Sequence, residues 1–327
     1  MVLRLLIAVC VGFLPLSYSM ANTYDPAKRQ DVSAFIDEMV SNKKMDREQL
    51  QNLFSEVNKR QDILDLIARP AERVLVWHEY QKIFITQQRI DGGKKFMTDY
   101  ADALKRAEQK YGVPAEIITA IIGVETFYGG NKGRHRVIDA LATLSFDYPP
   151  RAKFFRGQLV EFLNLTHKEG LNPRLPMGSY AGAMGYPQFI PTSYRDFAVD
   201  FDGDGFADIW TNPVDAIGSV GNYFAAHGWL KNQPVIEKIA VLKNDDKLPE
   251  LRLNRFNRLT LADIKAAGVQ PVNKKLADNL MAIPMAFTLP ESEFYLLGMQ
   301  NFYVITRYNH SRLYALAVHE LAEALRK

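Results

Sequence analysis

Cysteine is all but missing from this chain: Cys10 is the only one in 327 residues. A disulfide-stapled fold is excluded, and so is a thiol nucleophile once Cys10 is placed within a leader. The six histidines, His78, His135, His167, His227, His310 and His319, show no H-E-x-x-H or other ligand spacing. They do not indicate a zinc centre. No G-x-S-x-G marks a serine hydrolase, and the turn GGNKG from Gly129 lacks the GK[ST] of a phosphate loop. Internal repeats and low-complexity segments are absent. Charge of one sign is also scarce: a net +3 gives no electrostatic case for a nucleic-acid partner. Beyond the N-terminus, no stretch approaches the roughly 18 apolar residues of a membrane-spanning helix.

What is present begins with MVLRLLIAVCVGFLPLSYSMANTYDP. A positive start at Arg4, an apolar run from Leu5 to Leu16 and small residues around Ser19 and Ala21 read as a secretory signal over residues 1–21. Val9, before Cys10, is larger than a lipid-anchor site needs, so the leader is expected to leave with its cysteine. The route is export to the periplasm or beyond, with the mature chain free or associated with the outer membrane.

Helical periodicity dominates the mature chain up to Trp229. Phe35, Ile36, Met39, Leu50, Leu53 and Phe54 recur at helical intervals between Asp31 and about Arg69, and Pro70 interrupts them. Helices are expected again through MTDYADALKRAEQKYG, PAEIITAIIGVETFYGG, Phe154 to Asn164, Tyr194 to Val199 and Val214 to His227. After Trp229 the runs PVIEKIAVL, MAIPMAFTL, EFYLLGM and NFYVITRY read as short strands. LYALAVHELAEALRK closes the sequence as a helix.

One carboxylate stands in an apolar helix. From Pro114 onward Ile118, Ile121, Ile122 and Glu125 share a face, so Glu125 points with the isoleucines. Apolar surroundings and the negative end of a helix stopping at Gly129 or Gly130 both favour its protonated form, the state a general acid requires. The same pattern also fits a structural glutamate paired with Arg134 or Arg136. A usual glycosidase would need a second carboxylate, and Asp139, Asp147 and Glu161 follow with no spacing to single one out.

Two loops carry further chemistry. SYAGAMGYPQFIPTSY, from Ser179 to Tyr194, combines small residues, aromatics and an amide, and lets backbone approach a ligand closely. DFDGDGFADIW sets Asp200, Asp202 and Asp204 at alternate positions, with Gly205 at six and the Phe206 carbonyl at seven of a calcium loop. Asp208 falls at nine. Thr211 occupies position twelve, so Asp215 from the next helix is expected to replace the usual glutamate in a longer loop. The alternative is a solvated acidic turn. A bound calcium would be structural, with no cofactor needed for catalysis.

GVETFYG, SYAGAMGYPQFIPTSY and DFDGDGFADIW…PVDAIGSVGNYFAAHGW, in that order and spacing, resemble the membrane-bound lytic murein transglycosylase B family from about residue 30 onward. The resemblance implies a mainly α (α+β) protein. Its parts would be a 22–75 α-domain joined by the C-terminal helix 311–327, a lysozyme-like core over 76–230 with an EF-hand-like calcium loop, and a small antiparallel β-domain over 231–303. It implies peptidoglycan strands as substrate, Glu125 as the single catalytic acid, and Ser179, Gln188, Tyr80, Tyr223, Tyr308, Asn309 and Tyr314 as substrate-binding residues. It further implies cleavage between N-acetylmuramic acid and N-acetylglucosamine to a 1,6-anhydromuramyl end, by a monomer working alongside cell-wall synthesis or remodelling proteins. Pro187 stands where the family usually has glycine and Thr192 where it usually has serine; the proline removes a backbone donor beside Gln188. A hydrolytic muramidase and a non-catalytic, calcium-stabilised glycan-binding protein are the alternative readings.

Overall fold

The helical pattern at the start of the mature chain is cut into three. Helix α1 (Gln30–Lys43) ends at Lys44, whose left-handed φ of 55° turns the chain. Asp46 then caps α2 (Arg47–Glu56) by accepting the Gln49 N–H at 2.8 Å, and α3 (Gln61–Ala68) follows. The computed structural model describes residues 22–68, 75–242 and 257–327. The leader with Cys10 and the break at Pro70 lie outside the described residues.

Four helices lead to the centre: α4 (Trp77–Phe84), α5 (Gln87–Asp99), α6 (Ala101–Tyr111) and α7 (Ala115–Thr126). Every residue of α7 from Ile117 to Val124 is buried. A helix apolar on all sides must be surrounded by protein, which explains its composition. Strand β1 (His135–Arg136) leads into the hairpin of α8 (Val137–Phe146) and α9 (Ala152–Lys168). Strand β2 (Met177–Gly178) returns antiparallel to β1, pairing Gly178 with His135. Helices α10 (Pro191–Phe197) and α11 (Pro213–Ala226) complete this part, each opened by a proline that suits a first turn.

The second part is an antiparallel sheet of β3 (Ile236–Leu242), β4 (Leu259–Thr260), β5 (Val269–Pro271), β6 (Met281–Thr288) and β7 (Glu293–Gly298), in the order β4-β6-β7-β3-β5. A short helix, α12 (Leu261–Ala266), covers one face. Alternation along β6 sends Ile283, Met285 and Phe287 to the main core, while Ala282 joins a small second core with Leu261, Ile264 and Leu297. The sheet is therefore fastened to the helices through one face, with Trp77 edge-on to Phe287 at 5.9 Å.

One expectation is corrected here. NFYVITRY is helix α13 (Gln300–Tyr308), not a strand. Its β-branched residues suggested a strand, but Asn301 overrides that propensity. Fully buried, Asn301 accepts the Leu230 N–H at 2.8 Å and donates to the carbonyls of Leu230 and Gln233, which fixes a helical turn. The C-terminal helix, α14 (Arg312–Arg326), packs against α7, α4 and α5. Among the described residues no helix is long and apolar enough to cross a membrane.

Candidate active site

Glu125 is the penultimate residue of α7, and the helix ends sooner than its glycines suggest. Phe127, Tyr128 and Gly129 take left-handed φ values of 53°, 58° and 89°. Two consecutive left-handed aromatic residues are costly, on the order of 1–2 kcal/mol each, and need compensation. Tyr128 supplies it. Its ring fills a notch left by Gly92, Gly93 and Gly123, where a Cβ on Gly123 would lie 2.6 Å from the ring. Its hydroxyl donates to the Arg89 carbonyl at 2.8 Å, and the Arg89 guanidinium lies 5.0 Å from the Phe127 ring centre while donating to the Gly123 carbonyl. Thr126 finishes the turn: its hydroxyl accepts the Gly129 N–H at 3.0 Å and sits 3.1 Å from the Tyr186 carbonyl, a donor contact to the neighbouring loop.

Protein surrounds the Glu125 carboxyl on most sides, although the residue keeps partial access to solvent. Desolvation pushes its pKa up to about 7, partly opposed by the Tyr314 hydroxyl, which donates to Oε1 at 2.5 Å. Tyr80, Tyr308 and Tyr314 gather around it, their own pKa values raised first by burial and then by the carboxylate charge. Tyr308 donates to the Pro187 carbonyl at 2.6 Å, so the proline that removes one donor is also held through its acceptor. Tyr223 lies buried behind Tyr308, ring centres 4.7 Å apart, with its hydroxyl spent on the Arg307 carbonyl.

The ion-pair reading of Glu125 is not what the structure contains. Arg136 instead grips Asp139 through two nitrogens at 2.7 and 2.8 Å. Asp147 is held by Tyr24, Arg29 and Lys59, and Glu161 by Arg195. Each candidate second carboxylate is thus committed to a structural ion pair.

The loop from Ser179 forms the adjoining wall. Ser179 Oγ accepts the N–H groups of Ala181 and Ala183 at 3.2 and 3.0 Å, which closes a tight turn. Gln188, at a left-handed φ of 50°, donates its side-chain amide to the carbonyls of Gly185 and Lys132. Thr192 is fixed through Gln158, whose Oε1 lies 3.1 Å from both its N–H and its hydroxyl. Asn309 is exposed just past the end of α13. Among the described residues no hydrogen bond joins Ser179, Gln188 or Asn309 to Glu125.

In the acidic loop, carboxylate oxygens of Asp200, Asp202 and Asp204 come within 4.8 Å of one another, all exposed. Asp200 accepts the N–H groups of Gly203, Asp204 and Gly205, and the Phe206 carbonyl accepts that of Asp208. Asp215 does not belong to this group of three. Fully buried, it accepts the Phe201 and Asp208 N–H groups at 2.7 and 2.8 Å and so ties both ends of the loop to α11. All donors are hard oxygens, which suits calcium.

A carboxyl whose pKa is raised by burial, ringed by tyrosines in a lysozyme-like helical core, has the setting of a general acid in a glycan-cleaving enzyme. The chain belongs to the transglycosylase SLT domain family, whose model matches residues 27–323, and it is a peptidoglycan lytic transglycosylase. It is 43% identical over 310 residues to the membrane-bound lytic murein transglycosylase B of Escherichia coli K12, covering 92% of this chain and 84% of the relative. The soluble lytic transglycosylase SltB1 of Pseudomonas aeruginosa superposes with a TM-score of 0.86 at 48% identity, over 90% of this chain and 98% of its own. E. coli Slt35, solved in complex with calcium, superposes at 0.85 with 42% identity over 96% and 98% of the two chains. P. aeruginosa SltB3, solved with NAG-anhNAM-pentapeptide, does so at 0.80 with 31% identity over 91% and 79%.

Proposed function

We propose that Glu125 alone performs both proton transfers of a non-hydrolytic cleavage. It protonates the oxygen of the β-1,4 bond between N-acetylmuramic acid and N-acetylglucosamine. The resulting carboxylate takes the proton from the muramyl C6 hydroxyl as that oxygen attacks C1 of its own sugar. A 1,6-anhydromuramyl end forms, the N-acetylglucosamine leaves, and no water is consumed. Holding both reacting atoms on one sugar supplies the proximity advantage, and the neighbouring acetamido group stabilises positive charge at C1. The observation that carries this reading is the solitary carboxyl: Glu125 sits near pKa 7, while Asp139, Asp147 and Glu161 are tied up in ion pairs. The anhydro sugar bound to SltB3 supports the same product.

Tyr314 orients Glu125, Tyr80 and Tyr308 wall the sugar site, and Tyr223 backs Tyr308. Ser179, Gln188 and Asn309 serve the strand farther along the groove. Asp200, Asp202, Asp204 and the Phe206 carbonyl would hold a calcium ion whose charge fastens the loop, with Asp215 bracing it from beneath. Calcium in the Slt35 complex supports this assignment. The substrate is peptide-bearing peptidoglycan met in the periplasm after export.

Digestion of purified sacculi tests the reading. The expected products carry anhydromuramyl ends, one water lighter than those of a hydrolytic muramidase. Glu125→Gln should remain folded and sacculus-binding while turnover falls at least about a thousandfold, within the range for losing a general acid. Hydrated ends, or near-normal turnover in that variant, would remove Glu125 from the role.

A further inference from the structure

Arg89 stands where two helices end. It lies in the first turn of α5, behind Thr86, whose hydroxyl accepts the Arg89 N–H at 3.2 Å and caps that helix. Its Nη1 donates to the Ile83 carbonyl at 2.6 Å, in the last turn of α4. Its Nε donates to the Gly123 carbonyl at 3.1 Å, in the last turn of α7. Last-turn carbonyls lack a full set of helical partners and carry the negative end of the dipole, so one guanidinium answers two helix ends at once. The ring centres of Phe84 and Phe127 lie 5.2 and 5.0 Å from the guanidinium carbon. Arg89 is half-buried, desolvation lowers its pKa, and it has no acidic partner among the described residues. The helix ends balance its charge instead.

The two clamped helices carry groups that meet at the sugar site. Tyr80 lies one turn before Ile83 on α4, and Glu125 follows soon after Gly123 on α7. Tyr80 feels the Glu125 charge, and both stand close to Tyr314. On one flank of the guanidinium, Phe84 packs against the Tyr80 ring with centres 5.0 Å apart. On the other, Phe127 takes the left-handed φ that ends α7 just past the acid. Arg89 does not act on the carboxyl directly: burial and the Tyr314 hydroxyl account for the raised pKa of Glu125.

We propose that Arg89 is a positioning residue that sets the width of the sugar site, by clamping the end of the helix that carries Tyr80 to the end of the helix that carries Glu125. The proposal rests on Glu125 acting as the acid. Reaching two carbonyls on different helices takes a planar fork with separate donors, which the compact ammonium of lysine does not provide. A misplacement of about 1 Å far from the chemistry can cost on the order of a hundredfold in rate, so such a clamp is read in kcat. A purely stabilising arginine would change activity only in proportion to the folded fraction.

Arg89→Lys and Arg89→Ala test this, with breaks in soluble, uncross-linked peptidoglycan strands counted whichever sugar end results. Arg89→Lys should stay folded by near-UV circular dichroism. Its kcat should fall about ten- to a hundredfold while KM changes by less than about twofold. In Arg89→Ala, added guanidinium should raise kcat by at least about tenfold, and ammonium at the same concentration should not. If Arg89→Ala does not fold, the kinetics and thermal melt of the lysine variant decide the matter. Wild-type kcat in Arg89→Lys overturns the proposal, with or without a raised KM. So does a loss of activity that only follows the unfolded fraction, or a folded Arg89→Ala on which guanidinium has no effect. Glu125→Gln in the same assay reports on the acid by itself, so failure of the catalytic reading is seen separately.

Discussion

The Tyr314 hydroxyl donates to Glu125 Oε1 across 2.5 Å, although 189 residues separate them in the chain. That bond stabilises the carboxylate and opposes the desolvation that raises its pKa. Activity that needs the protonated acid should therefore fall as pH rises through about 7. Tyr314→Phe removes the lowering influence, so the alkaline limb of the pH–rate profile should move upward by about one unit. A downward movement, or none, would separate Tyr314 from the titration.

The same raised pKa makes Glu125 a stability liability. Its ordinary value is 4.5 and its folded value about 7, so the folded state favours the protonated form. The favourable balance holds below the unfolded value and is lost as pH rises through the folded one. Glu125→Gln should therefore melt higher than wild type at pH 8, by on the order of 2 kcal/mol, and show little difference at pH 4. Equal gains at both values would point to packing rather than charge.

Gly123 offers a direct lever on the turn beyond the catalytic acid. Gly123→Ala drives a methyl into the Tyr128 ring and should cost about 1–3 kcal/mol of stability through overpacking. Turnover should fall more steeply than substrate binding, because the displaced ring no longer holds the left-handed residues after Glu125. Tyr128→Phe keeps the ring but loses the bond to Arg89, a milder change of about 1 kcal/mol. Thermal melts read against kcat and KM for both variants check the order.

Calcium should act on stability, not on chemistry. At a concentration a hundredfold above its dissociation constant, a resident ion contributes about 2.7 kcal/mol through mass action. Chelation should lower the melting temperature and leave kcat unchanged at temperatures where the fold persists. Asp202→Ala should reproduce the chelated melting curve and no longer respond to added calcium.

Much of this architecture could be read from residue pattern because it depends on local order. The spacing of Ile118, Ile121 and Glu125 placed the acid on the greasy face of a helix, and three alternating aspartates described a loop that the fold keeps together. What escaped the pattern depends on contacts distant in sequence. Asn301 holds a β-branched stretch in a helix by bonding residues some seventy positions earlier, and Tyr128 ends α7 early by docking against Gly92 and Gly93. The double glycine at 92 and 93 was the available signal for that socket, meaningful only once a ring is seen to fill it. Likewise, Asp139, Asp147 and Glu161 could not be dismissed as reacting groups until Arg136, Lys59 and Arg195 were found beside them.

Helix α14 contributes more than packing. Glu125 lies in the middle of the chain, but the phenol that steadies it comes from the last helix. A polypeptide cut between Tyr308 and Arg312 would carry the acid and most of the groove yet leave α7 uncovered on one side and its carboxyl without the Tyr314 hydroxyl. In an enzyme that severs peptidoglycan, this arrangement makes the docking of α14 a condition for the Glu125–Tyr314 bond.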